Sequence, residues 1–248
     1  MKKVIVITGA SRGIGAATAR LAAARGYAVC VNYLKNRAAA DAVVAEIEAN
    51  GGRALAVAAD VAVEAQVVEL FETVDRQLGT LTALVNNAGI LETQMRVEDM
   101  DAARLTRVFA ANVTSCFLCS REAVRRMSTR HGSSGGAIVN VSSAAARLGS
   151  AGEYVDYAAS KGAVDTLTLG LAREVATEGI RVNAVRPGFI YTDIHASGGE
   201  PGRVDRIKDT VPMKRGGRPE EVAAAILWLL SDEASYATGT FIDLAGGR

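Results

Sequence analysis

Short apolar runs recur along the chain, and after most of them the hydrophobic positions switch to the three-to-four spacing of an amphipathic helix. Val4–Ile7 precedes a helical pattern from Gly13 to Arg25, Ala28–Asn32 precedes Arg37–Ala49, and Ala54–Ala58 precedes Glu64–Leu78. Leu81–Val85 leads to a long helical stretch, Val97–Met127, and Ala137–Val141 to a helix over Gly152–Leu171. Ile180–Val185 leads to a loop and then Glu220–Leu230, and Thr240–Leu244 closes the chain. The strand segments are continuous Val/Ile/Leu/Ala runs rather than alternating ones, as in strands buried on both faces. The pattern predicts an α/β fold with a seven-stranded parallel sheet, doubly wound, with helices on both faces.

One connection breaks this rhythm. Residues 187–217 are rich in Gly, Pro and charge, and the segment leaves the carboxyl end of a central strand, where doubly wound folds bind ligands. A substrate lid within 188–217 is expected. No linker, repeat or low-complexity tract interrupts the sequence, so residues 1–248 read as a single domain.

Composition narrows the function classes. Half of the 248 residues are hydrophobic (49%) and the net charge is +1, which permits a large core and lacks the basic footprint of a nucleic-acid binder. No apolar run is long enough to span a bilayer, and the run after Lys2 and Lys3 is too short for a signal peptide. The three cysteines fit a reducing, cytoplasmic setting and suggest no metal site. Cys116 and Cys119 form a C-x-x-C that reads either as a redox pair or as two small apolar residues on one helix face. The second is favoured, because no helix-opening turn precedes them.

The chemistry starts where the first strand meets a helix, at Thr8-Gly9-Ala10-Ser11-Arg12-Gly13-Ile14-Gly15. Glycines allow a tight turn and close ligand approach, and a helix N-terminus offers free N–H groups to phosphate. This predicts a dinucleotide site. The second strand ends in Asn32-Tyr33-Leu34-Lys35-Asn36-Arg37, with no acid to hold a ribose 2′-hydroxyl. With Arg12, Lys35 and Arg37 nearby, NADP is favoured over NAD, although Lys35 and Arg37 could simply decorate the following helix. Farther on, Tyr157 and Lys161 sit four apart on one helix face, where an adjacent cation favours a phenolate and makes it a usable acid or base.

Together, T-G-x-x-x-G-x-G, Asn86-Asn87-Ala88-Gly89, Asn112, Asn140-Val141-Ser142-Ser143, Tyr157-x-x-x-Lys161 and Arg186-Pro187-Gly188 resemble, in content and order, the short-chain dehydrogenase/reductase family. The sequence looks nearest to the branch containing bacterial glucose dehydrogenases and 3-oxoacyl carrier-protein reductases. The resemblance implies a Rossmann-type sheet and hydride transfer between a nicotinamide and a carbonyl or alcohol. It implies a tetrad of Asn112, Ser143, Tyr157 and Lys161. Tyr157 would carry the proton, Lys161 would assist it and bind ribose, Ser143 would bond the substrate oxygen, and Asn112 would kink its helix and anchor a relay water. It assigns cofactor contacts to Gly9, Ser11, Arg12, Gly13, Ile14, Gly15, Asn32 and Tyr33, and to Asp60 and Val61 at the adenine. Asn87, Ala88, Gly89, Tyr157, Lys161, Pro187, Gly188, Ile190 and Thr192 would complete the set. A homotetramer joined through Val97–Met127, the Tyr157 helix and Tyr236–Arg248 is also implied.

Ser143 lies 14 residues before Tyr157, one more than the family's usual spacing, so the loop around Gly149–Glu153 carries an extra residue beside the substrate. Ser142 reads as a strand-end hydroxyl bonded to backbone. The polar lid residues Asp193, His195, Ser197 and Glu200 favour a small polar or sugar-like carbonyl, with a 3-oxoacyl thioester as the alternative. His195 is open between substrate contact and a solvated loop position, and His131 reads as a surface turn. Arg125, Arg126, Arg130 and Arg173 could dock an acidic carrier, though a charged solvent face is favoured. A non-catalytic NADP-binding sensor on the same fold is the reading from another class.

Overall fold

A computed structural model describes residues 3–248. Met1 and Lys2, at the head of the expected single domain, lie outside the described residues. Seven strands, β1 (Lys3–Ile7), β2 (Tyr27–Tyr33), β3 (Arg53–Ala58), β4 (Ala83–Asn86), β5 (Gly136–Val141), β6 (Ile180–Pro187) and β7 (Phe241–Leu244), form one sheet. Its order is β3-β2-β1-β4-β5-β6-β7, with every pairing parallel. This is the doubly wound sheet the apolar runs predict.

Alternate residues of each strand feed two cores. Ile5, Ile7, Val29, Val31 and Val85 pack against α1 (Gly13–Ala24), α2 (Arg37–Ala49) and a late helix, Pro219–Leu230. Val4, Val6, Leu84 and Ile138 face the other way, onto α3 (Glu64–Gln77) and later helices of the opposite layer. Chain order reverses between β2-β1 and β1-β4, and a ligand crevice opens at the carboxyl ends of the strands there.

Three expectations need correction. Val97–Met127 is not one helix. A 3-10 turn at Val97–Asp99 stands apart, and α4 (Ala102–Phe109) passes through a π segment, Ala110–Thr114, into α5 (Ser115–Met127). After the short α6 (Ala145–Leu148), the Tyr157 helix α7 runs Val155–Val175 rather than from Gly152. Gly152 is left-handed (φ 72) and Tyr154 is non-helical (φ −142, ψ 53), so neither can open it. The connection after β6 is not structureless: it folds into α8 (Ile194–Ser197), α9 (Arg203–Ile207) and a 3-10 turn before α10 (Pro219–Leu230).

Cys116 and Cys119 are buried on α5, and burial pushes both thiols upward, that of Cys119 well above its ordinary value. They are packing residues. Among the described residues no helix is long and apolar enough to cross a membrane, and no cluster of His, Cys, Asp or Glu could hold a metal ion.

Candidate active site

The glycine turn is held from three sides. Asn32 Oδ1 accepts from the Gly9 N–H (3.1 Å), while its amide donates to the carbonyls of Val57 (3.3 Å) and Ala59 (3.1 Å). Asn87 Nδ2 donates to the Thr8 (2.8 Å) and Gly9 (3.0 Å) carbonyls, and Thr8 Oγ1 accepts from the N–H groups of Asn87 and Ala88, both at 2.9 Å. Gly9 adopts φ 60, and a Cβ there would lie 3.0 Å from Ala88 Cα, so backbone and left-handed turn both require glycine. At the start of α1 no side chain caps the helix and no acid sits in its first turn. Those N–H groups and the dipole are available to an anion.

This turn lines one part of a cavity of ≈ 520 Å³ that runs past the carboxyl ends of the central strands. Gly9, Ser11, Arg12, Gly13, Ile14, Asn32, Tyr33, Asp60 and Val61 line it, as do Asn87, Ala88, Gly89, Pro187, Gly188, Ile190 and Thr192. Gly15 is set apart from the other glycines. It sits behind the wall, where a Cβ would lie 2.5 Å from Asn87 Nδ2 and 2.6 Å from the Gly9 carbonyl, so its role is close packing. The Asn32 side chain is likewise fully engaged with backbone. Asp60 closes its own turn, Oδ1 accepting from the Ala62 N–H at 2.9 Å.

The three cations near the end of β2 separate. Arg12 and Lys35 are exposed at the cavity wall and form no ion pair among the described residues. Arg37 instead bonds Asp41 (3.3 Å) on α2 and does not line the cavity, so it drops out of the expected 2′-phosphate set.

Ser143, Tyr157 and Lys161 line the same cavity. Ser143 Oγ accepts from the Ala145 N–H at 3.1 Å, just beyond β5. Lys161, 4% exposed, donates to the Val141 carbonyl at 2.8 Å, which leaves two ammonium hydrogens for other partners. Its Nζ lies 5.6 Å from the centre of the half-buried Tyr157 ring. Ser142 Oγ donates to the Lys161 carbonyl (3.2 Å), the backbone-bonded hydroxyl expected of it.

Asn112 does not line the cavity. It is fully buried in the π segment, where its Oδ1 accepts from the Ile90 N–H (2.7 Å) and its Nδ2 donates to the Ile90 carbonyl (3.1 Å) and Ser160 Oγ (3.0 Å). Ser160 Oγ in turn donates to the Tyr157 carbonyl at 2.7 Å. Gly89 lies beside both Asn112 and Lys161, with the site of its missing Cβ 3.2 Å from Asn112 Oδ1 and 3.6 Å from Lys161 Nζ. Below lies a buried polar ladder that sequence reasoning missed. Asn86 Nδ2 donates to Asn140 Oδ1 (2.8 Å) and Ser120 Oγ (3.0 Å), and Asn140 Nδ2 donates to Thr168 Oγ1 (2.9 Å). The Asn86 and Asn140 motifs could have signalled it; Ser120 and Thr168 carry no local mark.

The connection after β6 supplies Asp193, Ile194, His195 and Arg203 to the cavity wall, beside Tyr154, Leu148 and Ser150. His195 is 7% exposed, so the solvated reading is overturned. The loop with the extra residue reverses sharply through Gly149 (φ 76), Ser150 (φ 50) and Gly152 (φ 72). His131 is exposed in a 3-10 turn, as expected. Arg125 and Arg126 bond Glu122, and Arg130 bonds Glu178, so three of the four candidate docking arginines already have carboxylate partners.

A family model described as Enoyl-(Acyl carrier protein) reductase matches residues 9–248. The chain is 63% identical over 245 residues to an uncharacterized oxidoreductase, YgfF, of Escherichia coli, covering 99% of both chains. It is 43% identical to a 3-oxoacyl-[acyl-carrier-protein] reductase of Synechocystis sp., covering 99% of this chain and 96% of the relative. A short-chain dehydrogenase of Burkholderia cenocepacia, solved in complex with NADP, superposes with a TM-score of 0.91 at 34% identity, covering 100% and 98% of the two chains.

Proposed function

The chain belongs to the short-chain dehydrogenase/reductase family of NAD(P)-dependent oxidoreductases, and from that premise we propose an NADP-preferring alcohol dehydrogenase/carbonyl reductase acting on a small polar or sugar-like carbonyl. The observation that carries this reading is the convergence of Ser143, Tyr157 and Lys161 on the cavity that also receives the uncapped start of α1.

The residues fit such a cofactor. The free N–H groups of α1 suit a pyrophosphate, and Arg12 and Lys35 suit a 2′-phosphate. Asp60 and Val61 would border the adenine. Asn87 to Gly89, with Pro187, Gly188, Ile190 and Thr192, would hold the nicotinamide end, and Tyr157 and Lys161 the adjoining ribose. When bound, the nicotinamide supplies or receives the hydride. The Tyr157 hydroxyl gives its proton to the carbonyl oxygen, or takes one from the alcohol in reverse. Lys161 stabilises negative charge that develops on the Tyr157 oxygen, and Ser143 donates a hydrogen bond to the substrate oxygen. Asn112 is a positioning residue: it fixes Ile90 and, through Ser160, the turn that carries Tyr157.

Leu105, Phe109 and Phe117 on α4–α5, with Leu169 on α7, leave large apolar side chains exposed, which supports a homotetramer joined through those helices. NADPH oxidation against sugars, diketones, ketoacids and an acetoacetyl thioester tests the activity. Tyr157→Phe should lower turnover by about 10²–10⁴-fold while NADPH affinity holds. Unchanged turnover would refute Tyr157 as the proton carrier, and silence of the wild type despite tight NADPH binding would favour the sensor. A second reading, reduction of a 3-oxoacyl thioester, draws support from the name of the Synechocystis relative. Turnover confined to the thioester would establish it.

A further inference from the structure

Beyond β7 the chain turns back to the cavity wall. Gly246 (φ 64) and Gly247 (φ 92) are both left-handed, a backbone that favours glycine. A Cβ on Gly246 would lie 2.8 Å from Val211 Cγ1, and one on Gly247 would lie 3.1 Å from Pro212 Cβ, so the turn is packed against that segment. Backbone bonds fix it as well. The Met213 N–H donates to the Gly246 carbonyl (3.1 Å), the Gly188 N–H to the Leu244 carbonyl (3.0 Å) and the Arg248 N–H to the Ala245 carbonyl (3.3 Å). Arg248 is thereby returned to the wall of the cavity, its guanidinium carbon 5.0 Å from the centre of the half-buried Phe189 ring.

A second guanidinium, that of Arg203, lies 5.3 Å from the Phe189 ring centre and 4.6 Å from that of Tyr154, which stands at the start of the Tyr157 helix. Tyr154, Arg203, Phe189 and Arg248 thus extend the wall outward from that helix. The two arginines differ in their surroundings. Arg203 is buried and ion-paired with Glu153, and the Glu200 carboxylate lies 4.0 Å from its Nε. Arg248 is exposed and has no Asp or Glu partner among the described residues. Asp243, on β7, is engaged by Arg147 and Arg186. Asp193, an unpaired acid of the same cavity, follows Thr192, whose Cγ2 lies 3.2 Å from the site of a Cβ on Gly13 in the glycine turn.

We propose that Arg248 recognises an anionic group on the substrate, a carboxylate or a phosphate, set apart from the reacting carbonyl. The reaction itself rests on the carbonyl-reductase reading above, and the anion narrows the polar carbonyl to an oxo acid or a sugar phosphate. Stacking on an aromatic ring uses the flat face of a guanidinium and leaves its N–H donors free along the edge. Those donors can bond two oxygens of one carboxylate or phosphate at once. Glu153 and Glu200 already offset the charge of Arg203, so the net positive charge beside Phe189 is that of Arg248. A neutral hydroxyl there would use one donor and leave that charge unmatched.

The test sets charged carbonyl compounds against neutral ones of the same shape: levulinate against levulinamide, and dihydroxyacetone phosphate against dihydroxyacetone. Binding is read from the fluorescence of NADPH on the protein, and turnover from NADPH oxidation. At low salt the wild type should favour the charged member of at least one pair by about tenfold, and the pair that responds tells carboxylate from phosphate. The ratio should shrink as salt rises, because the group is exposed. Arg248→Met should erase the ratio, and Arg248→Lys, which keeps the charge, should restore part of it. Equal binding within both pairs would overturn the assignment, as would an Arg248→Met variant that keeps the ratio. A preference for the neutral members would also overturn it, with the Asp193 carboxylate then setting the sign of the field. A binding preference that Arg248→Met abolishes, with none of the four compounds turned over, would support the anion site and overturn the carbonyl-reductase reading.

Discussion

Arg104 and Asp156 meet in the interior, Nε to Oδ2 at 2.7 Å, with side chains only 4% and 0% exposed. Asp156 Oδ1 also accepts from the Tyr157 N–H at 2.9 Å, and Arg104 Nη1 donates to the Thr93 carbonyl at 2.7 Å. The pair thus ties α4, the first turn of α7 and the segment after β4 together, directly behind Tyr157. Removing one member of a buried pair strands a charge, whereas removing both replaces the desolvation cost with packing. Arg104→Met should destabilise the protein by about 3–5 kcal/mol, and adding Asp156→Leu should recover a large part of that loss. Urea unfolding of the two single variants and the double variant measures it. A single variant within about 1 kcal/mol of wild type would show that the pair does not hold the Tyr157 turn.

Arg12 and Lys35 flank the end of β2 without carboxylate partners, whereas Arg37 is engaged with Asp41 outside the cavity. Charge-assisted bonds to a 2′-phosphate distinguish NADPH from NADH at this position. Arg12→Ser and Lys35→Ser should each weaken NADPH binding by about tenfold and leave NADH binding within about threefold. Arg37→Ala should change neither. Titrations of both cofactors at two salt concentrations are the check, since exposed cations should lose their advantage as salt rises. Equal losses for NADPH and NADH would remove these residues from the 2′-phosphate site.

How legible the site was depends on distance along the chain. Gly9 and Gly13 could be read because a strand-to-helix turn demands left-handed backbone locally (φ 60 and 54), and the sequence shows both elements. The seven strands were legible because strands buried on both faces become continuous apolar runs. The close packing at Gly15 was not legible, because its neighbours, Asn87 Nδ2 and the Gly9 carbonyl, come together only in the fold. The π segment was hidden for a similar reason: Asn112 reaches Ile90, 22 residues away, and helical periodicity alone does not report that bond. Burial of His195 depends on how the connection after β6 packs in the fold. Spacing within a segment rich in Gly and Pro carries no such information.

Glu122 shows how the same logic reaches stability. Its side chain is 4% exposed and accepts from Arg121 (3.1 Å), Arg125 (2.9 Å) and Arg126 (2.7 Å). Burial alone would raise its carboxyl pKa, but hydrogen bonds from Arg126 and Arg121, with the charges of Arg126 and Arg125, override it and hold the group below the ordinary 4.5. A carboxylate whose pKa is lower folded than unfolded binds its proton more readily in the unfolded chain. Its contribution is therefore fully present above the unfolded value and is lost as pH falls through the folded one. Wild-type stability should fall between about pH 5 and pH 3 more steeply than that of Glu122→Gln, which has no such proton to take up. The variant should be the less stable protein at neutral pH, because three arginines then share a neutral acceptor, and the gap should narrow towards acid. Urea midpoints of both proteins across that range decide the matter. Parallel curves would mean that Glu122 titrates alike in the folded and unfolded chains and that its arginine cage contributes nothing to acid sensitivity.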